Sequence, residues 1–176
     1  MRPDDATIDA LIDALIDWAA QQRPYDSVAG SQLPAPVRDD FTYLKETTMI
    51  DHTGVGVTDM AHSKRFYNAT LAAIGYQLLA EFPAAMTGTV DVAGYGEPPK
   101  PDFWLDAGGP NKPPIHIAFR VASRQIVRDF YTAALAAGGR DNGAPGLRPH
   151  YHPDYYGAFV LDPDGHNVEA VCHTPE

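Results

Sequence analysis

The sequence IHIAFRVASRQIVRDFYTAALAAGG, residues 115–139, repeats the pattern of DHTGVGVTDMAHSKRFYNATLAAIG, residues 51–75. The offset is 64 residues both from His52 to His116 and from Phe66 to Phe130. A histidine, a Phe-Tyr pair, a leucine and a closing glycine recur in this one register, which is hard to attribute to chance. A repeat of this kind indicates two copies of one supersecondary unit.

Each copy begins with a short strand in which inward and outward residues alternate. A capping residue follows, Thr58 or Asp59 in the first copy and Ser123 in the second, and then an amphipathic helix that ends at a glycine. Further strand candidates come behind each helix: YQLLAEF, TGTVDVAGY and DFWLDA in the first copy, and a segment within 140–156, YGAFVLD and HNVEAVC in the second. The pattern predicts an α+β fold in which two βαβββ modules, at about 49–108 and 113–173, form a curved mixed-sheet cup.

The first 48 residues differ in pattern from the rest. Apolar residues recur at steps of three and four through residues 4–22, which predicts an amphipathic helix. Prolines and a glycine between residues 24 and 40 are typical of a linker. We therefore predict an N-terminal helical extension over 1–48 and a domain over 49–176.

The composition narrows the class of protein and its partners. The chain of 176 residues is 44% hydrophobic with a net charge of −10, which disfavours nucleic acid and anionic membranes as partners. The single cysteine, Cys172, excludes a disulfide within the chain and is expected to be a buried apolar filler. We see no apolar run long enough to span a membrane and no signal peptide, so we expect a cytoplasmic protein.

One carboxylate lies where an apolar side chain is expected. Glu169 stands in the strand candidate HNVEAV, and an unpaired buried carboxylate is costly. If the first strands of the two modules meet, their equivalent histidines His52 and His116 face each other and Glu169 can reach the same point. Two imidazoles and one carboxylate on one surface bind a divalent metal and leave positions open. The competing interpretation pairs Glu169 with Arg120 or Arg148 and leaves the histidines bonded to backbone groups.

The paired modules and the segments DHTGVGV, IHIAFRV and GAFVLDPDGHNVEAV together resemble the vicinal oxygen chelate superfamily, over about residues 49–173. This superfamily includes glyoxalase I, extradiol dioxygenases, fosfomycin resistance transferases and bleomycin resistance proteins. The resemblance implies that its metal ligands fall on His52, His116 and Glu169. The fourth ligand of glyoxalase I would fall on DFWLDA, at Phe103 or Trp104, and neither side chain can bind a metal. The resemblance also implies that homodimers are common.

Several further residues are candidates for a role at this site. Glu169, Tyr155, His152 and His150 are candidates for moving a proton, the last three from the segment RPHYHPDYYGAF. Candidates for substrate binding are Arg120, Tyr156, Trp104 and Phe103. His166 follows a turn glycine and is expected to make local contacts only, while the repeated Phe-Tyr pairs are expected to pack in the core.

These features predict a divalent-metal enzyme that chelates neighbouring oxygens of a small molecule, as a glyoxalase-like lyase or isomerase or as a ring-cleaving dioxygenase. The ion is Fe, Zn, Mn or Ni, and the sequence leaves its identity open. The alternative is a binding protein of the same fold that sequesters a small molecule without catalysis.

Overall fold

A computed structural model of the chain describes residues 50–176. The predicted extension over 1–48 lies outside the described residues. The described part contains two modules with the same order of elements, strand, helix and three strands, and a short extra helix in the first.

The first module consists of β1 (Thr53–Gly56), α1 (Met60–Ala72), β2 (Gln77–Phe82), α2 (Ala84–Thr87), β3 (Val92–Gly96) and β4 (Phe103–Asp106). The second consists of β5 (His116–Arg120), α3 (Arg124–Ala136), β6 (Arg140–Leu147), β7 (Tyr156–Leu161) and β8 (Asn167–Cys172). The side chains of Asp59 and Ser123 cap the two long helices by accepting hydrogen bonds from backbone amides three residues on. The α+β class and the two βαβββ modules are thus confirmed.

Each module folds into its own four-stranded mixed sheet. The strand orders are β1-β4-β3-β2 and β5-β8-β7-β6, and in each sheet the first strand pairs in parallel with the last. β1 and β5 therefore lie at the edges of two separate sheets. From the sequence we expect these two strands to meet, but among the described residues they do not pair with each other.

The two modules share one hydrophobic core. Phe66 and Tyr67 of α1 and Phe130 of α3 are fully buried in it, and the ring of Phe103 from β4 meets that of Phe119 from β5 edge to face at 5.3 Å. The apolar face of each sheet is thus buried in the core between the modules. The opposite faces point away from this core because side chains alternate along a strand.

The turn DPDGH, residues 162–166, fastens the second module to the first. The buried carboxylate of Asp162 accepts a hydrogen bond from the Tyr67 hydroxyl at 2.8 Å, and Asp164 accepts one from the backbone N–H of Thr58. The buried ring of His166 bridges the modules by accepting from the Ile115 N–H at 3.2 Å and lying 3.0 Å from the Gly56 carbonyl. The expectation of purely local contacts for His166 was wrong, because spacing along the chain does not show which strand end lies beside the turn.

Within residues 50–176, no helix has both the length and the apolar character needed to cross a membrane.

Candidate metal and proton-transfer site

Glu169 lies in the middle of β8 with its carboxylate on the face that points away from the shared core. Its neighbours Val168 and Ala170 point into the core, whereas Glu169 does not belong to it although it is only 1% exposed. Gly157 on the adjacent strand leaves room for the carboxylate, since a Cβ at that position would lie 2.9 Å from Glu169 Oε1. The fold therefore holds a carboxylate almost out of contact with water.

Two polar side chains bind the Glu169 carboxylate. His116 Nε2 lies 2.8 Å from Oε2, and the Tyr155 hydroxyl donates to Oε1 at 2.6 Å. The strand register explains the first contact: Ala118 pairs with Glu169 on the parallel neighbour, so His116 is two residues away on the same face. These two contacts supply the hydrogen-bond partners that a buried carboxylate needs.

Tyr155 is held in its protonated form. Burial, and after it the hydrogen bond and charge of Glu169, raise the pKa of the Tyr155 phenol well above its ordinary value. A neutral phenol can donate a hydrogen bond, and a phenolate beside Glu169 would be repelled. The Tyr155 hydroxyl is thus a hydrogen-bond donor to the carboxylate that keeps its own proton.

The competing ion pair is not the arrangement found. The Arg148 guanidinium donates to the carbonyls of Ala144 and Leu147 and lies over the Phe159 ring at 5.5 Å. Arg120 is exposed on β5, on the same face as His116 by alternation. It lies at the opposite end of β5 from His116, and within residues 50–176 it is not within ion-pair distance of Glu169.

His52 is not grouped with the other two predicted ligands. It lies exposed just before β1, at the edge of the first sheet. Within the described part of the chain, no group of three or more His, Cys, Asp or Glu side chains is arranged to hold a metal ion. One chain thus brings together an imidazole and a carboxylate of the predicted triad but not all three side chains.

The strand register identifies the position in the first module that corresponds to Glu169. Gly54 is the repeat equivalent of Ala118, and it pairs with Trp104 as Ala118 pairs with Glu169. The sequence had left Phe103 and Trp104 as alternatives for this position, and the register selects Trp104. Its ring stacks on Phe82 with centroids 6.3 Å apart and covers Gly94, where a Cβ would clash at 2.6 Å.

Two predicted substrate-binding residues lie apart from this face. Phe103 is buried in the shared core. Tyr156 packs against the core on the side of α3, where the guanidinium carbons of Arg124 and Arg128 lie 5.2 and 5.8 Å from its ring centroid. Phe103 is next in sequence to Trp104, which is on the outward face of the first sheet, and Tyr156 is next to Tyr155, which contacts Glu169 on the outward face of the second, so alternation sends both to the core side.

Residues 148–155, here called the lid segment, connect β6 to β7 and carry the remaining candidates. His150 is exposed with its ring 4.2 Å from that of Tyr151, and Tyr151 in turn lies 4.8 Å from Tyr155. His152 Nε2 lies 2.7 Å from Nδ1 of His173. Sequence reasoning missed His173, because its position one residue beyond β8 carries no signal until the lid segment is seen to fold onto it.

The fold and the site define a class: paired βαβββ modules with a buried carboxylate and an imidazole on adjacent parallel strands. A family model described as the Glyoxalase/Bleomycin resistance protein/Dioxygenase superfamily matches residues 49–170. The chain belongs to this superfamily.

Solved structures agree on the fold. A glyoxalase/bleomycin resistance protein from Albidiferax ferrireducens T118 is 26% identical over 73% of this chain and 100% of that one, with a TM-score of 0.58. Glyoxalase I from Zea mays is 21% identical over 69% of this chain and 43% of that one, with a TM-score of 0.53. A glyoxalase/bleomycin resistance protein/dioxygenase family enzyme from Burkholderia phytofirmans PsJN is 18% identical over 71% of this chain and 98% of that one, with a TM-score of 0.52. A search of curated proteins gave no match.

Proposed function

We propose that the chain is a divalent-metal-dependent enzyme of the glyoxalase or dioxygenase type that acts on a small molecule with two neighbouring oxygens. His116 and Glu169 would hold the ion together with His52. The observation that carries this proposal is the nearly inaccessible Glu169 carboxylate within 2.8 Å of His116 Nε2, on the outward face of the second sheet.

The donor set fits a divalent ion in its chemistry. Neutral imidazole and carboxylate suit iron, manganese, nickel and zinc, and three protein ligands leave open positions for a substrate. When bound, the ion would supply Lewis-acid polarisation of the two substrate oxygens. To bind the ion, Glu169 Oε2 and His116 Nε2 would have to give up their contact with each other and both contact the cation. The cation would then offset the negative charge of the nearly buried Glu169 carboxylate.

The chain's own residues would handle the proton. Tyr155 keeps its phenolic proton because of its raised pKa, and its hydroxyl contacts Glu169 Oε1 at 2.6 Å. Glu169 is therefore the candidate base, Tyr155 orients its second oxygen, and Arg120 remains a candidate for binding an anionic group of the substrate. His150 and His152 remain candidates for the mouth of the site.

We further propose that His52 reaches the site from a second copy of the chain in a homodimer. β1 and β5 are both edge strands, and the sheet faces that carry the site point away from the core that joins the modules. Pairing β1 of one copy beside β5 of another would bring His52 of that copy toward His116 and Glu169. Each dimer would then contain two such sites.

One observation favours the alternative, a protein that binds a small molecule without a metal. Both oxygens of Glu169 already have protein partners, so a metal is not required to satisfy the carboxylate. In that case Glu169 and Tyr155 would be a structural pair beneath the binding face.

Metal analysis of anaerobically purified protein distinguishes the two functions. For the metal enzyme we expect close to one ion per chain in wild type and in the control His62→Ala, whose histidine is exposed on α1. Glu169→Ala and His116→Ala should each lose most of the ion. Equal metal content in all four proteins, or none in wild type after metal is added back, contradicts the metal proposal.

Mixed dimers test the origin of His52. We would mix His52→Ala with Glu169→Ala protein under conditions that exchange subunits and measure metal bound per chain. If the site spans two chains, each mixed dimer has one site with all three ligands, and metal binding recovers in part. No recovery after confirmed exchange would contradict the proposal that His52 comes from a second copy of the chain.

A further inference from the structure

Two glycines separate the Glu169 carboxylate from the Arg148 guanidinium on the outward face of the second sheet. Gly146 of β6 pairs with Gly157 of β7 in the strand register. A Cβ at Gly157 would lie 2.9 Å from Glu169 Oε1, and a Cβ at Gly146 would lie 2.9 Å from Nη1 of Arg148. The negative and the positive group therefore stand over two glycines that face each other across neighbouring strands.

The register limits the distance between these two charges. Directly opposed residues of an antiparallel pair have Cβ positions about 4.5 to 5.5 Å apart, so Arg148 Nη1 and Glu169 Oε1 lie at most about 11 Å from each other. They are nevertheless not within ion-pair distance. One small molecule, about the size of a single ring, is therefore long enough to contact both charges.

Arg148 is held in place by uncharged groups. Its guanidinium donates to the carbonyls of Ala144 and Leu147 at 2.7 and 3.3 Å and lies over the Phe159 ring at 5.5 Å. Its backbone N–H donates to the Tyr155 carbonyl at 2.7 Å, which ties it to the residue that contacts Glu169. These contacts fix the position of the guanidinium and leave its positive charge without a counter-ion.

The Arg148 guanidinium keeps donors for a ligand. It has five N–H groups, and the two carbonyl bonds use two of them. Among residues 50–176, no Asp or Glu side chain lies within ion-pair distance of it. Its charge acts on the site, because burial and Glu169 raise the pKa of the Tyr155 phenol and Arg148 opposes that rise. The planar fork of an arginine matches a carboxylate, which it binds through two parallel hydrogen bonds.

We propose that Arg148 binds the carboxylate of a small acid on this face, with two neighbouring oxygens of that acid at Glu169. The place of the neighbouring oxygens rests on the function proposed above, whereas the place of the carboxylate does not. Gly146 and Gly157 form the floor beneath the bound acid, because a side chain at either position would fill the space between the two charges. Arg148 thus determines specificity for an acid over an uncharged molecule of the same shape.

Two probes that differ in charge test this assignment. Protocatechuate is a benzoate with two neighbouring hydroxyl groups, and its amide has the same shape without the charge. Anaerobic isothermal titration calorimetry, on chelator-treated protein and on protein supplied with Mn²⁺, gives the ratio of their dissociation constants. We expect wild type to bind the acid more tightly by on the order of tenfold, a preference that shrinks as salt is added. A ratio near one, or no measurable binding of the acid in either condition, overturns the proposal.

Substitutions assign the preference to one arginine. Arg148→Gln should bring the ratio close to one, and Arg148→Lys should keep only part of it, because lysine has the charge without the planar fork. The control Arg65→Gln removes the same charge from the exposed surface of α1 and should match wild type. A wild-type ratio in Arg148→Gln would contradict the proposal, as would loss of the preference in Arg120→Gln alone. If Arg148→Gln does not fold, Arg148→Lys decides, and an unchanged ratio in that variant contradicts the proposal.

The metal arm separates this proposal from the proposed function. If the neighbouring oxygens bind a metal at His116 and Glu169, Mn²⁺ should tighten acid and amide in similar proportion, and His116→Ala should remove that gain. No gain with Mn²⁺, together with a ratio that still depends on Arg148, would count against the metal enzyme and support the carboxylate site. A gain with Mn²⁺ and a ratio near one would support the metal enzyme and overturn the carboxylate site.

Discussion

Replacing His166 with alanine tests how the two modules are held together. The ring is 1% exposed and makes two hydrogen bonds, one to each side of the junction between β1 and β5. Because Nδ1 accepts from the Ile115 N–H, the proton lies on Nε2 and is donated to the Gly56 carbonyl. The substitution removes both bonds and leaves a cavity between the modules.

The expected cost follows from these contacts. A buried polar group that loses its hydrogen-bond partner lowers the free energy of unfolding by about 1 to 3 kcal/mol. The Ile115 amide is only partly buried, so we expect its loss to lie at the lower end of this range. With the cavity added, we expect His166→Ala to lower the free energy of unfolding by about 3 kcal/mol. His166→Asn keeps an acceptor close to the position of Nδ1 and should cost roughly half as much.

Urea denaturation followed by circular dichroism measures both variants against wild type. The exposed His62→Ala should change the free energy by less than about 0.5 kcal/mol. If His166→Ala cost no more than this control, the ring would not join the modules energetically. Equal losses in His166→Ala and His166→Asn would mean that the Ile115 hydrogen bond contributes nothing.

Three further predictions concern buried polar contacts. In Gly157→Ala the new Cβ would lie 2.9 Å from Glu169 Oε1, so we expect the free energy of unfolding to fall by about 1 to 3 kcal/mol and metal binding to decrease. Urea denaturation and metal analysis measure these two effects. A free energy of unfolding and a metal content equal to those of wild type would refute the prediction. Tyr67→Phe should cost about 2 kcal/mol in the same denaturation assay, because it removes the hydroxyl that donates to the buried Asp162; a loss below about 0.5 kcal/mol refutes it. Burial raises the pKa of Tyr76 to about 12, above the ordinary value of about 10, so its contribution to stability is complete below pH 10 and is lost as the pH rises through 12. The tyrosinate absorbance of wild type minus that of Tyr76→Phe should show this ionisation near pH 12, and a difference centred near pH 10 would contradict it.

The repeat is what made the fold predictable from the sequence. Two segments with the same hydrophobic alternation and the same helical period require the same local structure, and the second copy confirms the interpretation of the first. The buried Phe66, Tyr67 and Phe130 follow from that pattern, and the burial of Cys172 follows from the apolar strand in which it lies. Contacts between side chains far apart in sequence could not be obtained in this way. His166 and His173 are the clearest cases, since their partners lie on segments whose approach depends on how the modules pack.

The way the modules pack explains why only two of the three predicted metal ligands lie together in one chain. His116 and Glu169 are on parallel neighbours in a single sheet, so the register alone brings them together. His52 belongs to the other sheet, and both modules use their apolar faces to make the shared core. A sheet that packs one face inward must present the other outward, so the two faces that carry the predicted ligands cannot also close on each other around that core. If the metal site proposed above is correct, a pseudo-symmetric pair of modules joined in this way would provide part of it on each of two outward faces. Under that proposal a second copy of the chain, with its own outward faces, would supply the missing ligand to each part.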